Sequence, residues 1–299
     1  MEGPLTGQVA LAPVSARPRA RNWTPLLLFP AALLLIVFLV VPLCATIWLS
    51  LSPSNLVRFQ GHGLGNFAYM LGKPYYTRVA IRTFRLAFES TAAALLIGYP
   101  AALSLRAIPE RVAGGITLAM TLPILSGPLI VVLGWMILLS DGGPVLAPLS
   151  RAGLIPRLGL LGSETGIVIG VVHFVLPFVI LSLASVLRGI PPALLEAASS
   201  LGASAWQTFT QVILPLSLPG VLSATVIALS LSMSAFIAPH YLGGPADLTL
   251  TTLVAQFVLA TYNGQMAAAV SVVLLIAMAG LILLLTATLS RRLSRGLRQ

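Results

Sequence analysis

The sequence predicts an all-α membrane protein with six transmembrane helices, on the evidence of its composition, its long apolar runs and the position of its charges. Of the 299 residues, 58% are hydrophobic and 8% charged, and the mean hydropathy is +1.00. Soluble domains are roughly 45–50% apolar and about 25% charged. This composition excludes an ordinary soluble enzyme and a disordered chain. A span needs about 20 apolar residues to cross a bilayer core of ~30 Å, so the chain can hold six spans.

The first apolar run covers residues 25–51 and follows a polar tail, residues 1–24, that carries three closely spaced arginines. A signal peptide has an apolar region of only about 7–15 residues. The run is longer than that, and no convincing cleavage site of small residues follows it. We therefore predict an uncleaved first span.

Five further runs have the length of a span and cover residues 83–105, 115–139, 165–187, 219–237 and 266–289. Together with the first run they define a membrane domain over residues 25–290, followed by a basic tail over 291–299. One more apolar stretch, residues 248–261, is too short to span the bilayer comfortably. We expect it to form a re-entrant or an interfacial helix.

Basic residues predict the orientation of the spans. The net charge of +10 comes from 17 Lys and Arg against 7 Asp and Glu, and most basic residues flank apolar runs. Such residues orient spans and contact lipid headgroups, so we expect membrane lipid and no nucleic acid as a partner. Arginines before the first span and after the last predict that both termini are cytoplasmic. The single cysteine, Cys44, excludes a disulfide within the chain and a metal site built from cysteines.

The predicted cytoplasmic loop 188–219 has the pattern of two short amphipathic helices. Pro191 and Pro192 suit a helix start, where no N–H donor is needed. Glu196 is expected in the first turn, where its charge favours the helix dipole, and Gly202 is expected to end this helix. One apolar face is predicted to contain Leu194, Leu195, Ala198 and Leu201.

The second predicted helix of the loop begins at Ser204, a residue type that caps helix N-termini. Its apolar residues recur at helical spacing, and Pro215 and Pro219 are expected to interrupt the chain before the fifth span. Periodicity alone leaves two interpretations. The pair of helices either lies on the membrane surface or docks into a groove of a cytoplasmic partner.

The spacing of Glu196-Ala197-Ala198, Gly202 and Ile213-Leu214-Pro215 resembles the EAA loop of binding-protein-dependent ABC transporter permeases. Over residues 25–290 the chain is similar to the spermidine/putrescine-type branch of that family. The segments that carry this similarity include Asn66-Phe67, Pro74-Tyr75-Tyr76, Gly98-Tyr99-Pro100, Leu176-Pro177-Phe178 and Leu242-Gly243-Gly244-Pro245.

The resemblance implies a six-helix inner-membrane permease that pairs with a second permease, a homologue or a copy of itself. It also implies two cytoplasmic ATPase subunits, which would bind ATP and magnesium, and a periplasmic substrate-binding protein. This chain contains no G-x-x-x-x-G-K-[ST] phosphate loop, so we expect it to be no enzyme and to bind no cofactor or metal. The residues implied to couple it to the ATPase are Leu194, Leu195, Glu196, Ala197, Ala198, Leu201 and Gly202.

Candidates for the substrate pathway come from polar and aromatic residues within the spans, where ionisable groups are usually functional. Glu89 is the one acidic residue within a predicted span, but Arg85, four residues earlier, is also placed to pair with it. His173 and Trp135 serve either the pathway or packing and anchoring. Serine hydroxyls of the fifth span, such as those of Ser230 and Ser234, either line a polar path or bond across helices.

The cargo and two other classes of function stay open at this point. Polyamine-type permeases often carry a basic residue between the segments that match Leu122-Pro123 and Trp135, and this chain has none there. The wider branch resembles permeases for iron and for oxyanions such as sulfate. An ion-gradient-driven transporter would use intramembrane carboxylates, for which Glu89 is thin support. A membrane-embedded enzyme would need a catalytic motif, and we find none.

Overall fold

The computed structural model describes residues 24–54, 63–152 and 159–296, and these residues form helices joined by turns. The predicted tail 1–24 therefore lies almost wholly outside the described residues. Among the described residues, five helices are long and apolar enough to cross a membrane, and a sixth span results if one bent helix pair is counted as a single span. The chain divides into two compact units after Ala45.

The first apolar run is helical, as predicted, and its apolar stretch covers Phe29–Ser50. It comprises α1 (Thr24–Leu35), a π-helical turn (Ile36–Val40) and α2 (Val41–Ser50). The N–H of Val41 donates to the carbonyl of Ile36, five residues back, directly before Pro42. A proline ring clashes with the carbonyl four residues earlier, and a wider turn relieves that clash.

The end of this run is tied to the next helix, α3 (Gly65–Leu71), by a buried amide. The side-chain NH₂ of Asn66 donates to the carbonyls of Ser50 and Ser52 at 2.9 and 2.8 Å. The last carbonyls of a helix have no partner within the helix, so Asn66 supplies the donors that they lack.

Three long helices, α4 (Pro74–Ala107), α8 (Glu164–Arg188) and α11 (Leu214–Ser234), pack together and form the largest hydrophobic core. The helices approach closely at glycines. A Cβ atom on Gly98 would lie 2.7 Å from Val179, and one on Gly220 would lie 2.8 Å from Val186. Small residues at such contacts are typical of helix packing in membranes.

The third predicted span is not one straight helix, which corrects the prediction for residues 115–139. The segment forms α5 (Glu110–Ser126) and α6 (Pro128–Leu139), bent by 96°. The bend is at Gly127, whose φ of +80° and ψ of 147° belong to a region that is essentially restricted to glycine. Because Pro128 has no N–H, it cannot continue the hydrogen bonds of α5.

The fifth predicted span is also longer than expected, because neither Pro215 nor Pro219 interrupts it. The apolar segment covers Ala205–Ser234 and comprises α10 (Ala205–Thr208), a π-helical turn (Phe209–Ile213) and α11. The N–H of Leu214 donates to the carbonyl of Phe209, five residues back. As before Pro42, the wider turn directly precedes a proline and lets the helix continue.

The remaining helices complete the second unit and are α7 (Leu146–Arg151), α9 (Pro192–Ser200), α12 (Ile237–Leu242), α13 (Leu250–Leu259) and α14 (Gly264–Gly296). The short helix predicted over 248–261 is α13, and its Leu253 and Phe257 are buried in a second core with Met266 of α14. The α14 helix continues through most of the segment predicted as the basic tail 291–299.

Candidate functional site

The predicted docking helix is α9, and its apolar side chains are exposed. All nine residues of Pro192–Ser200 are partly or fully exposed. Leu194 is exposed, and Leu201, at the end of the helix, is 88% exposed. Proteins seldom leave an apolar stripe of a helix uncovered unless it meets a partner or a membrane.

Glu196 lies on the same helix but not in its first turn, which corrects the prediction. The helix begins at Pro192, so Glu196 is in the second turn, where the dipole contributes little. Its side chain is exposed, as are Ala197 and its neighbours Ser199 and Ser200. Within the part of the chain that the structure describes, the Glu196 carboxylate makes no ion pair, so it is accessible to a partner.

Gly202 ends α9, as predicted. Its φ is +79°, and a Cβ atom built on it would meet nothing within 4 Å. The N–H of Gly202 donates to the carbonyl of Ser199 at 2.9 Å, and the N–H of Ala203 donates to that of Ala198 at 3.0 Å. This pair of bonds is the Schellman motif, which needs a residue with positive φ. The backbone angle therefore selects glycine here, and no steric obstruction does.

The chain turns back at Ser204, whose predicted role as a helix cap is confirmed. Its hydroxyl accepts from the N–H of Gln207 at 3.3 Å, and the Gln207 side chain accepts from the N–H of Ser204 at 2.7 Å. This capping box starts α10. The second predicted helix is thus the beginning of the fifth span and is no separate short helix.

The two arms of this turn are held differently. The α10–α11 arm is anchored on α4, where the Tyr99 ring contacts Phe209 edge-to-face at 5.9 Å and the Tyr99 hydroxyl bonds to Ser217 at 2.8 Å. The α9 arm is tied at its base, where Arg106 donates to the carbonyl of Ile190 at 3.0 Å. The α9 helix is therefore a protruding element on a fixed base.

Of the pathway candidates, Trp135 and His173 are brought together. Their rings, from α6 and α8, meet edge-to-face with centroids 5.7 Å apart. Both line a cavity of about 420 Å³ in the inner angle between α5 and α6, together with Leu122, Pro123 and Ser126.

Ser230 and Ser234 of the fifth span bond to their own helix. The Ser230 hydroxyl donates to the carbonyl of Val226 at 2.7 Å, and that of Ser234 donates to the carbonyl of Ser230 at 2.9 Å. Ser234 also lines a separate, largely apolar cavity of about 350 Å³ with residues such as Phe174 and Ile237.

Glu89 pairs with Arg85, with the nitrogen Nε and the oxygen Oε1 3.7 Å apart. Arg85 also binds Glu164, and Arg82 donates to the same carboxylate at 2.9 Å and to the carbonyl of Ala246. Sequence analysis missed Glu164. Its position directly after the N-cap Ser163 is a helix-start signal, but nothing in the sequence indicates partners about eighty residues away.

Comparison with known proteins gives a family, relatives and a structural neighbour. Residues 94–299 match the family described as "Binding-protein-dependent transport system inner membrane component". The spermidine/putrescine transport system permease protein PotB of Escherichia coli (strain K12) is 29% identical over 87% of this chain and 95% of that protein. PotB of Haemophilus influenzae is 31% identical over 83% of this chain and 87% of that protein.

One solved structure with a similar fold is a chain of a bacterial alginate ABC transporter, crystallised in complex with an alginate-pentasaccharide-bound periplasmic protein. It superposes with a TM-score of 0.76 at 19% identity and covers 92% of this chain and 99% of that chain. At this identity the likeness concerns the fold alone.

Proposed function

Because this chain belongs to the family of binding-protein-dependent transport system inner-membrane components, we propose that it is one of two permease subunits of an ABC importer for a small amine-bearing cation. It is a multi-pass inner-membrane transport subunit and no enzyme itself, and its family works with an ATPase and a substrate-binding protein. The proposed assembly has two ATPase subunits, a second permease and a periplasmic binding protein.

The proposed orientation has both termini in the cytoplasm. Arginines precede the first span and follow the last, and cytoplasmic segments are enriched in such residues. In that orientation α9 and Arg106 lie on the cytoplasmic side. Glu164 and the turn that follows α12 lie on the periplasmic side.

The observation that carries the proposal is the exposed apolar face of α9 next to an unpaired carboxylate. We propose that Leu194, Leu195 and Leu201 fill a cleft on the ATPase, and that Glu196 binds a basic or donor group there. Ala197 and Ala198 permit a close approach. Burying an exposed leucine side chain contributes about 1.5–3 kcal/mol, so burial of these leucines favours docking.

The proposed mechanism transmits motion through this contact. Closure of the ATPase pair on ATP would move α9, and the fixed base at Ile190 would pass that movement to α8 and α11. The permease pair would then alternate between inward-open and outward-open states, the rigid-body form of alternating access. ATP and magnesium bind to the ATPase in this scheme.

The proposed cargo class rests on the similarity to PotB proteins, which are named as permeases for spermidine and putrescine. For the route of the cargo we propose the cavity lined by Trp135 and His173. Glu89 is half-exposed and ion-paired with Arg85, which favours a structural role. The serines bond to their own backbone, so we include Ser230 and Ser234 only as neighbours of the route.

The test is co-purification of the tagged chain with its partners, for the wild type and for Glu196→Ala combined with Leu201→Ser. The expected result is recovery of an ATPase and a second permease with the wild type, and at least a tenfold loss of ATPase with the variant. The control is Glu110→Ala, because Glu110 is an exposed carboxylate at the start of α5, outside the loop 188–219.

Equal recovery of ATPase from all three preparations would refute the docking assignment. Uptake that persists without any ATPase but collapses with a protonophore would favour the ion-gradient alternative instead. Uptake of iron or an oxyanion, and of no amine, would leave the permease class intact and replace the cargo.

A further inference from the structure

The break between α5 and α6 leaves backbone polar groups without helical partners. The N–H of Gly127 donates to the carbonyl of Ile124 at 3.4 Å, and the usual donor to that carbonyl would be residue 128, which is a proline. The last carbonyls of α5 therefore lack the donors that a continuous helix would supply.

This break lies at membrane depth. The 17 residues of α5 extend about 25 Å, which is less than the bilayer core of ~30 Å. After the break, α6 runs alongside His173 of α8. His173 lies nine residues after the start of α8 and is therefore about 14 Å from that end of the helix. Interrupted backbone is tolerated at such depth only where protein buries it or where it lines a water-filled cavity.

The described residues of this chain do not bury the break. Ser126 and Pro128 are exposed, and Gly127 is only partly buried. The cavity of about 420 Å³ adjoins the break, and Leu122, Pro123 and Ser126 of the last turns of α5 line it. We therefore expect water in the cavity, in contact with the carbonyl end of that helix.

The walls of the cavity favour a positive charge. The C-terminal end of a helix carries a partial negative charge, and interrupted helices in transporters use such ends to coordinate cations. The Trp135 ring adds an aromatic face, which attracts ammonium groups. Among the described residues, no Lys or Arg lines this cavity, and Pro128, the first residue of α6, lines the other cavity instead.

We propose that this cavity is an intramembrane binding site for the transported solute, and that it selects an amine-bearing cation through the carbonyl end of α5 and the ring of Trp135. The inference rests on the proposed importer function. Among the described residues, no carboxylate lines the cavity. This absence suits a transport route, because a passage site must bind its solute weakly enough to release it.

The first experiment tests water and charge in the cavity without any cargo. A cysteine is introduced as Ser126→Cys in a Cys44→Ala background, which removes the natural cysteine of the chain, and the whole transporter is reconstituted. The expected result is labelling by a cationic methanethiosulfonate reagent at least fivefold faster than by an anionic one. Spermidine is expected to slow the cationic reaction.

The matched control is Leu125→Cys, at an exposed neighbouring residue that is not part of the cavity wall. Because it faces lipid in this arrangement, we expect it to stay unlabelled. An unreactive Ser126→Cys, or one that prefers the anionic reagent, would overturn the proposal even if the chain transports amines.

The second experiment measures spermidine uptake by Trp135→Phe and Trp135→Leu in the complete transporter. Losing a cation–π contact is expected to raise the KM about two- to thirtyfold for leucine and less for phenylalanine. The control is Trp48→Leu, at an exposed tryptophan of α2, with an expected KM equal to that of the wild type.

The outcomes separate this proposal from the proposed function. Unchanged KM in both Trp135 variants, with amine uptake intact, would refute the site and keep the importer. A wild-type transporter that takes up no amine would refute the cargo. The cysteine labelling would then still decide whether the cavity is wet and favours cations.

Discussion

The two ends of the packed helix pair α4 and α8 differ in how completely contacts within the chain pair or bury the side chains there. At the Glu164 end, the carboxylate binds Arg82 and Arg85, and the turn after α12 packs against residues 160–167 through close glycine contacts. At the α9 end, an apolar helix protrudes with all its residues partly or fully exposed.

This difference indicates that the α9 end is the one that leaves apolar surface for a partner to bury. A surface that is paired and closely packed within one chain gains little from a partner. An exposed apolar helix with an accessible carboxylate gains the burial of its leucines on docking. Substitutions at the two ends should therefore act on different measurements, stability at the Glu164 end and assembly at the α9 end.

The largest expected effect on stability is at the Glu164 end, for Gly243→Ala. The added Cβ would lie 2.6 Å from the carbonyl of Pro239 and 2.8 Å from the Ile167 side chain. Overpacking of this kind costs about 1–3 kcal/mol, and rigid backbone on one side favours the upper end of that range. Thermal unfolding in detergent measures it.

The matched control for that substitution is Gly115→Ala, at a glycine of α5 with no atom within 4 Å of the added Cβ. It should leave the unfolding temperature unchanged or raise it, because alanine favours a helix by about 1 kcal/mol over glycine. An equal loss of stability in both variants would show that close packing does not distinguish this end.

Two other glycines, Gly202 and Gly127, show how much of the fold the sequence predicts. Gly202 was predictable because a glycine after an amphipathic run, followed by Ser204, is a standard helix-end signal. The bend at Gly127 was missed because apolar residues continue on both sides of it, and hydropathy does not depend on φ. The Gly127-Pro128 pair itself was the available signal, since such pairs mark interruptions.

Long-range pairs mark the other limit of prediction. The i,i+4 pair of Arg85 and Glu89 follows from helical spacing and is confirmed. The contact between Arg85 and Glu164, and that between Trp135 and His173, join helices whose relative placement no local pattern specifies. Two residues of the candidate cavity, Trp135 and His173, were thus predicted individually, but the sequence did not predict that they meet or that the ends of α5 and α6 complete the cavity.

An intermediate effect is expected at the α9 end, for Gly202→Ala. A non-glycine residue at positive φ costs about 1–2 kcal/mol, which here weakens the Schellman bonds that end α9. We expect ATPase binding to weaken about five- to thirtyfold, with an unchanged unfolding temperature. Binding of detergent-solubilised permease to immobilised ATPase measures the loss.

Gly202→Asn provides the matched variant, because asparagine tolerates positive φ better than alanine. It should recover most of the ATPase binding. Equal losses for alanine and asparagine would indicate that the ATPase occupies the space next to Gly202, so that any side chain there obstructs binding.

The smallest expected effect on stability concerns the two carboxylates that bind Arg85. Glu89→Gln removes a half-exposed pair at 3.7 Å, which we expect to cost less than about 0.5 kcal/mol, as exposed pairs do. Glu164→Gln removes the carboxylate that joins Arg82 and Arg85 and should cost about 1 kcal/mol.

Amine uptake by the Glu89 variant is expected to keep the wild-type KM, because the residue serves an ion pair and lies outside the proposed cavity. A raised KM with unchanged stability would instead make Glu89 part of the route, and the Glu164 end would then be a functional surface as well as a closed one.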